Sequence, residues 1–376
     1  MHAGSDAALF AEAAETLVVA EERINLLGSV APADVLGETA KLARDYAHGK
    51  PLVITRAGEV SELASVRHAL AHVQRATEPL GLLGRLYGER ALELELEARL
   101  VEALGTPHFR VLAAERFPEP PPELGRACDA FVAEAEGLAL PEAPERYVSD
   151  DETEPRSLIS RLRLKVRELG LKFVVRVARS QLAAAATGDG LVSVRAGMRL
   201  TAAAAERITA HELLGHALPR ARARHASPPL LRAGTRGAAD DEEGRALLVE
   251  RRANLLDAER QRELALRHVA AVGVRRGAEP RDTVDTLTRR GAPVERAVEL
   301  ALRIHRGGGL AREIVYLPAY VAVTRAFAEE PSLERWFERG RVGLAAAREL
   351  NRAQPTPEHG RTAWAPGAVP RRSRRA

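Results

Sequence analysis

Two histidines and a glutamate stand close together in Thr209-Ala210-His211-Glu212-Leu213-Leu214-Gly215-His216. Imidazoles bind divalent metals, and a carboxylate beside one can take a proton from a metal-activated water. Spacing decides whether both rings reach one ion. Histidines four residues apart on an α-helix lie about 40° from facing the same way; five apart, they diverge by about 140° and roughly 7.5 Å of rise. An ideal helix therefore cannot bring His211 and His216 to one metal. The helix must widen by a residue, or end, before His216. Gly215 is where that distortion costs least, and π-bulges recur at functional sites. The plainer alternative is two surface histidines on a charged helix. Leu213 and Leu214 count against it, because they imply a packed segment, and buried histidines need partners or a metal.

Downstream, Asp240-Asp241-Glu242-Glu243-Gly244 opens another helix with four consecutive carboxylates. Helix-dipole capping accounts for two or three acids at such a start. It leaves room for one facing inwards as a third ligand, near position 243, with its neighbours accepting the imidazole N–H groups. Two histidines and one carboxylate leave a fourth position open for water, as in catalytic rather than structural zinc. Zinc brings the pKa of bound water to about 7, so Glu212 beside the first ligand can act as the base.

These side chains must be positioned by a mainly helical α+β chain. Helical patterning runs from Ala7 to about His48, broken at Gly28 and Pro32, then over Ser61 to Ala76 and Tyr87 to Leu104. Pro118, Pro120, Pro121 and Pro122 form a stiff extended connector. The acidic stretch between Pro141 and Pro155 is the best boundary. It divides a helical region, 1–150, from a domain at 151–353 and a basic tail at 354–376. Past it, Ser157 to Leu169 reads as a helix, Phe173 to Val177 as a buried strand, and Ser180 to Ala186 as a short helix or turn. Thr187-Gly188-Asp189-Gly190 is a turn before a second strand, Leu191 to Val194. Thr201 opens the helix that carries His211. Further helices cover Asp240 to Leu256 and Ala292 to Arg306, and the last runs from about Leu310 to Ala328.

The 45% hydrophobic and 29% charged content is ordinary for a globular protein, and no stretch approaches the roughly 20 apolar residues of a membrane span. Met1 to Leu9 lacks the pattern of a secretory signal, and Cys128 is the only cysteine, so a thiolate cluster is excluded and a cytoplasmic setting expected. The net charge of +4 comes largely from Arg371, Arg372, Arg374 and Arg375. That tail is read as a solvated end, so nucleic acid is not an expected partner.

Three segments resemble the microtubule-associated tyrosine carboxypeptidases and their bacterial relatives, often labelled flavohemoglobin expression-modulating QEGLA-motif proteins. His211-Glu212-Leu213-Leu214-Gly215-His216 is similar to the family's His-Glu-x-x-x-His motif. Glu242-Glu243-Gly244-Arg245-Ala246 stands where QEGLA would, with glutamate for glutamine and Arg245 for leucine. Arg306-Gly307-Gly308-Gly309-Leu310-Ala311-Arg312-Glu313-Ile314-Val315-Tyr316-Leu317 resembles a late glycine-rich segment. Ile24-Asn25-Leu26-Leu27 and the stretch from Leu86 to Glu93 resemble it more loosely.

The resemblance implies a zincin-like metallopeptidase that trims a C-terminal residue, aromatic in the animal members. It makes His211, His216 and Glu243 the zinc ligands and Glu212 the base. In a zincin the strand before the metal helix offers its edge to the substrate, and Leu191 to Val194 is the candidate. Tyr316 and Arg312, four apart on a helical face, would stabilise an oxyanion and bind a carboxylate. Arg195 and Arg312 are then the candidates for holding the substrate's C-terminus. The rival is a non-catalytic regulator that keeps the metal and binds a partner; a pure binder has no use for Glu212.

Overall fold

The computed structural model describes residues 3–54, 62–140, 145–179 and 181–354. The start of the helix expected from Ser61, parts of the Pro141 and Ser180 segments, and the basic tail beyond residue 354 lie outside them.

The N-terminal part is helical: α1 (Ala3–Ile24), α2 (Leu26–Ser29), α3 (Val35–Ala47), α4 (Ala64–Thr77), α5 (Gly81–Glu102), α6 (His108–Arg116) and α7 (Pro122–Glu136). The proline connector is shorter than expected, since Pro122 occupies the first turn of α7, where a missing N–H costs nothing. Next come β1 (Arg146–Val148), α8 (Leu158–Glu168), β2 (Val174–Ala178), β3 (Ala185–Thr187), β4 (Leu191–Arg195) and β5 (Arg199–Thr201). Ser157 caps α8 by accepting from the Ser160 N–H.

The strands form two small sheets. β1 pairs antiparallel with β5; in the other sheet β4 is central, parallel to β2 and antiparallel to β3. Three expectations change here. The alanine-rich segment ends as strand β3, because pairing with β4 outweighs its helical propensity. β4 has neighbours on both sides, so the free edge nearest the His211 helix belongs to β3. β2 is an outer strand whose Val174 and Val177 are 65% and 39% exposed; only Phe173 and Val175 are buried.

The rest is helical: α9 (Ala202–Ala210), a π-helical turn (His211–Ala217), α10 (Leu218–Ala223), α11 (Leu230–Ala233), α12 (Ala238–Arg252), α13 (Ala258–Arg275), α14 (Pro280–Arg289) and α15 (Val294–Gly309). A 3-10 turn (Arg312–Val315) leads into α16 (Tyr316–Glu329). That helix starts later than expected and is not the last. A second 3-10 turn (Pro331–Leu333), α17 (Glu334–Arg339) and α18 (Leu344–Ala353) follow.

Two apolar cores result. One gathers Leu158, Leu162, Val192, Val194, Leu213 and Ala217 around the three-stranded sheet. The larger joins Leu17, Leu70, Leu94 and Phe109 to Leu247, Leu264, Leu317 and Trp336, so segments from both sides of residue 150 share it. The helix that carries His211 packs on the smaller core and α12 on the larger. No helix among the described residues is long and apolar enough to cross a membrane.

Candidate metal centre

Thr201 caps α9 through a 3.0 Å hydrogen bond from the Ala204 N–H, and the helix runs into the π-helical turn at His211. There the Leu218 N–H reaches back five residues to the Leu213 carbonyl. The helix widens, and the two Nε2 atoms come to 3.3 Å, both rings buried. This register leaves a gap. The next carbonyl, Leu214, would find its donor at Pro219, which has no N–H. Arg245 of α12 fills it, donating to the Leu214 oxygen and, at 3.2 Å, to the Gly215 oxygen. Arg245 thus supports the distorted helix.

Small residues let α12 approach two neighbours. A Cβ on Gly215 would lie 2.6 Å from the Ala246 Cβ, and one on Gly244 would lie 2.4 Å from the Ala319 carbonyl. Held in this way, Glu243 places Oε2 3.4 Å from His211 Nε2 and 3.7 Å from His216 Nε2. Its other oxygen accepts from Arg312 Nη2 at 3.1 Å. Glu242 turns away to Arg220 and Arg341, each at 3.5 Å. Asp240 accepts from Arg116, and Asp241 from the Leu344 N–H, both at 2.7 Å.

None of those neighbours serves an imidazole, as had been expected of them. His211 Nδ1 instead meets Glu250 Oε1 at 2.7 Å, and Arg260 donates to both Glu250 oxygens at 3.0 Å. Glu243 and Glu250 are seven residues apart, about 20° from eclipsed on one helix face. That spacing was the available signal for Glu250.

The electrostatics follow from this burial. Burial opposes a charge on His211, but the Glu243 and Glu250 carboxylates prevail and push its pKa up to about 9. Burial likewise works against the Glu243 anion; His211, His216 and Arg312 hold it well below the usual carboxylate range. Glu250 is lowered to about 2, with Arg260 the chief cause against the burial.

The donor atoms of His211, His216 and Glu243 all lie within 4.8 Å of one another. Ligands about 2.0–2.1 Å from a tetrahedral zinc sit about 3.3 Å apart, close to the spacings found here. With the far side of His211 engaged by a carboxylate, the residues fit such an ion.

Glu212 and Tyr316 line the same cavity of about 1510 Å³ as His211, His216 and Glu243. Glu212 Oε2 accepts a 2.8 Å hydrogen bond from Thr187 Oγ1 on β3, a partner the sequence did not point to. The Tyr316 hydroxyl accepts from Arg312 Nη1 at 3.0 Å and from Arg303 Nη2 at 3.5 Å. The two arginines expected to hold a substrate carboxylate are already engaged. Arg312 binds Glu243 and Tyr316; Arg195, also on the cavity wall, pairs with Glu299 and the Leu182 carbonyl.

No functionally curated protein matches the sequence. Among solved structures, a protein from Colwellia psychrerythraea described as a lipoprotein is similar over 89% of this chain and 76% of that one. At 12% identity and a TM-score of 0.47 it is too distant to bear on the fold. The family model described as microtubule-associated tyrosine carboxypeptidase matches residues 46–356, and the chain belongs to that family, a family of carboxypeptidases.

Proposed function

We propose that the protein is a zinc metallocarboxypeptidase that removes one C-terminal residue, aromatic ones fastest, from a peptide or protein. The observation that carries this reading is the convergence of His211 Nε2, His216 Nε2 and Glu243 Oε2 beside a glutamate that is not one of them. Those three residues would hold the ion, which supplies an acidified water and a Lewis acid. Glu250 fixes the ring of His211 from behind. Glu212 takes the attacking water's proton and passes it to the leaving amine, with the Thr187 hydroxyl fixing its orientation. The lone pairs of Tyr316 face the Arg312 and Arg303 guanidiniums, so its O–H is left to donate to the oxyanion. The free edge of β3 would pair with the substrate backbone by strand addition. The oriented Glu212 also argues against a purely binding role.

The assay uses peptides ending in tyrosine, phenylalanine, leucine or lysine, each as free acid and as amide, followed by mass spectrometry. Loss of a single residue from the acids, fastest from tyrosine and phenylalanine, is expected. Internal cleavage, or amides turned over as fast as acids, would overturn the reading.

A further inference from the structure

An enzyme that removes only the last residue must measure a fixed distance from the substrate's carboxylate to the scissile bond. With Arg312 and Arg195 engaged elsewhere, that carboxylate needs another cation. Next to the ligand triad, four guanidiniums, those of Arg207, Arg260, Arg267 and Arg296, surround two carboxylates, Glu250 and Glu263. Three of the four donate to a carboxylate. Arg260 binds Glu250 at 3.0 Å and Glu263 at 3.1 Å; Arg267 and Arg296 both pair with Glu263.

Arg207 is different. Its side chain is only 11% exposed and lines the cavity, yet it makes no hydrogen bond to any described residue. The carboxylate oxygen it faces, Glu250 Oε2, is 3.8 Å away and already accepts from Arg260. Burial and the charge of Arg260 accordingly push its pKa down. A buried cation short of acceptors favours an incoming anion, and a carboxylate matches the guanidinium fork.

Its position also fits. Arg207 lies four residues before His211 on nearly the same helix face, about 6 Å along the axis. One extended residue covers about 3.5 Å, and a guanidinium–carboxylate hydrogen bond adds about 2.8 Å. Ile208, Leu266 and Leu300 line the cavity as well, an apolar setting for the side chain of that residue.

Resting on the carboxypeptidase reading, we infer that Arg207 receives the C-terminal carboxylate of the substrate and so sets cleavage at the last peptide bond. The test compares wild type, Arg207→Gln, Arg207→Lys and Arg262→Gln, the last a second arginine of the cavity wall. Each is given a tyrosine-terminated peptide as free acid and as amide, with metal content and melting temperature measured alongside. For Arg207→Gln, kcat/KM on the acid should fall about 10- to 100-fold, mainly through KM, the size of a lost charged hydrogen bond. The amide should lose far less, so the acid-over-amide preference narrows. Arg207→Lys should recover part of it, and Arg262→Gln should keep the wild-type ratio. An unchanged ratio in a folded, metal-loaded Arg207→Gln would overturn the assignment, as would an equal loss in Arg262→Gln. If Arg207→Gln does not fold, Arg207→Lys decides: a preference as strong as wild type's defeats the assignment, and a reduced one supports it. A wild type that shows no preference for acids would defeat the carboxypeptidase reading itself, a different result from either.

Discussion

The two helices that carry the candidate centre are held in opposite ways. The turn from His211 to Ala217 departs from α-helical pairing, and its loose carbonyl is covered by Arg245 from another helix. α12 is a regular helix, and its difficulty is charge: its acids are spread over several faces and most meet an arginine from outside the helix. Asp240 meets Arg116, Glu242 meets Arg220 and Arg341, Glu243 meets Arg312, and Glu250 meets Arg260. Geometry is thus irregular where the histidines sit and regular where the acids sit. One helix depends on a borrowed hydrogen bond, the other on paired charges, and each can be perturbed alone.

The largest effect should come from a residue on the distorted turn that leaves both supports intact. Glu212→Gln keeps the shape and can still meet Thr187, but it cannot accept a proton. Metal content should stay at the wild-type level while kcat falls about 10²- to 10⁴-fold. Loss of metal in this variant would make Glu212 a structural residue instead.

Next come the glycines on either helix. The added methyl of Gly244→Ala meets the Ala319 backbone, which cannot swing aside, whereas that of Gly215→Ala meets chiefly the Ala246 Cβ at 2.6 Å, with the Ala246 Cα at 3.1 Å. Overpacking costs about 1–3 kcal/mol, and Gly244→Ala should sit at or beyond the top of that range. Adding Ala246→Gly should recover most of the metal affinity lost in Gly215→Ala and do nothing for Gly244→Ala. Denaturant unfolding and metal titration of the single and double variants check this; rescue of both would mean that α12 shifts as a body.

These contrasts track what could be read in the sequence. A five-residue histidine spacing is a local constraint: for both rings to meet, the helix had to widen or end before His216, and the structure widens it. The caps at Ser157 and Thr201 and the turn at Thr187 to Gly190 are local too. Non-local pairing was hidden. The strand at Ala185 to Thr187 exists only because β4 lies beside it, and a three-residue alanine-rich segment has no period to reveal that. The seven-residue step from Glu243 to Glu250 was legible, yet the four acids at the helix start drew the expectation to the wrong neighbours. The engagement of Arg195 and Arg312 could not be seen, because their partners Glu299 and Glu243 lie 104 and 69 residues away.

Arg245 tests the borrowed hydrogen bond. Arg245→Leu keeps an apolar stem there but leaves the Leu214 carbonyl facing Pro219 without a donor. A buried unsatisfied carbonyl costs about 1–3 kcal/mol. The variant should unfold earlier by about that amount and bind zinc more weakly, because His216 follows the unsupported carbonyls. Arg245→Lys, which can still donate, should recover part of both. If Arg245→Leu binds zinc as wild type does, the π-helical turn needs no help from α12.

Asp241 tests the paired charges, because it is the acid in the opening run of α12 that meets a backbone N–H rather than an arginine. Burial chiefly, with the nearby Asp240 and Glu93, raises its pKa to about 7, although the Leu344 N–H pulls the other way. A carboxyl raised in the folded state binds its proton more tightly there than in the unfolded chain. Its contribution to stability is therefore most favourable near pH 4 and is lost as pH rises towards 7. Asp241→Asn can still accept from Leu344 and carries no charge at any pH. It should match wild type at pH 4 and exceed it at pH 8 by an amount on the order of 1 kcal/mol, since Asp241, though largely enclosed, keeps some contact with water that screens its charge. Denaturant melts at both pH values decide. A variant less stable than wild type at pH 8 would show that Asp241 is stabilised as an anion after all, and that α12 tolerates charge without a paired arginine.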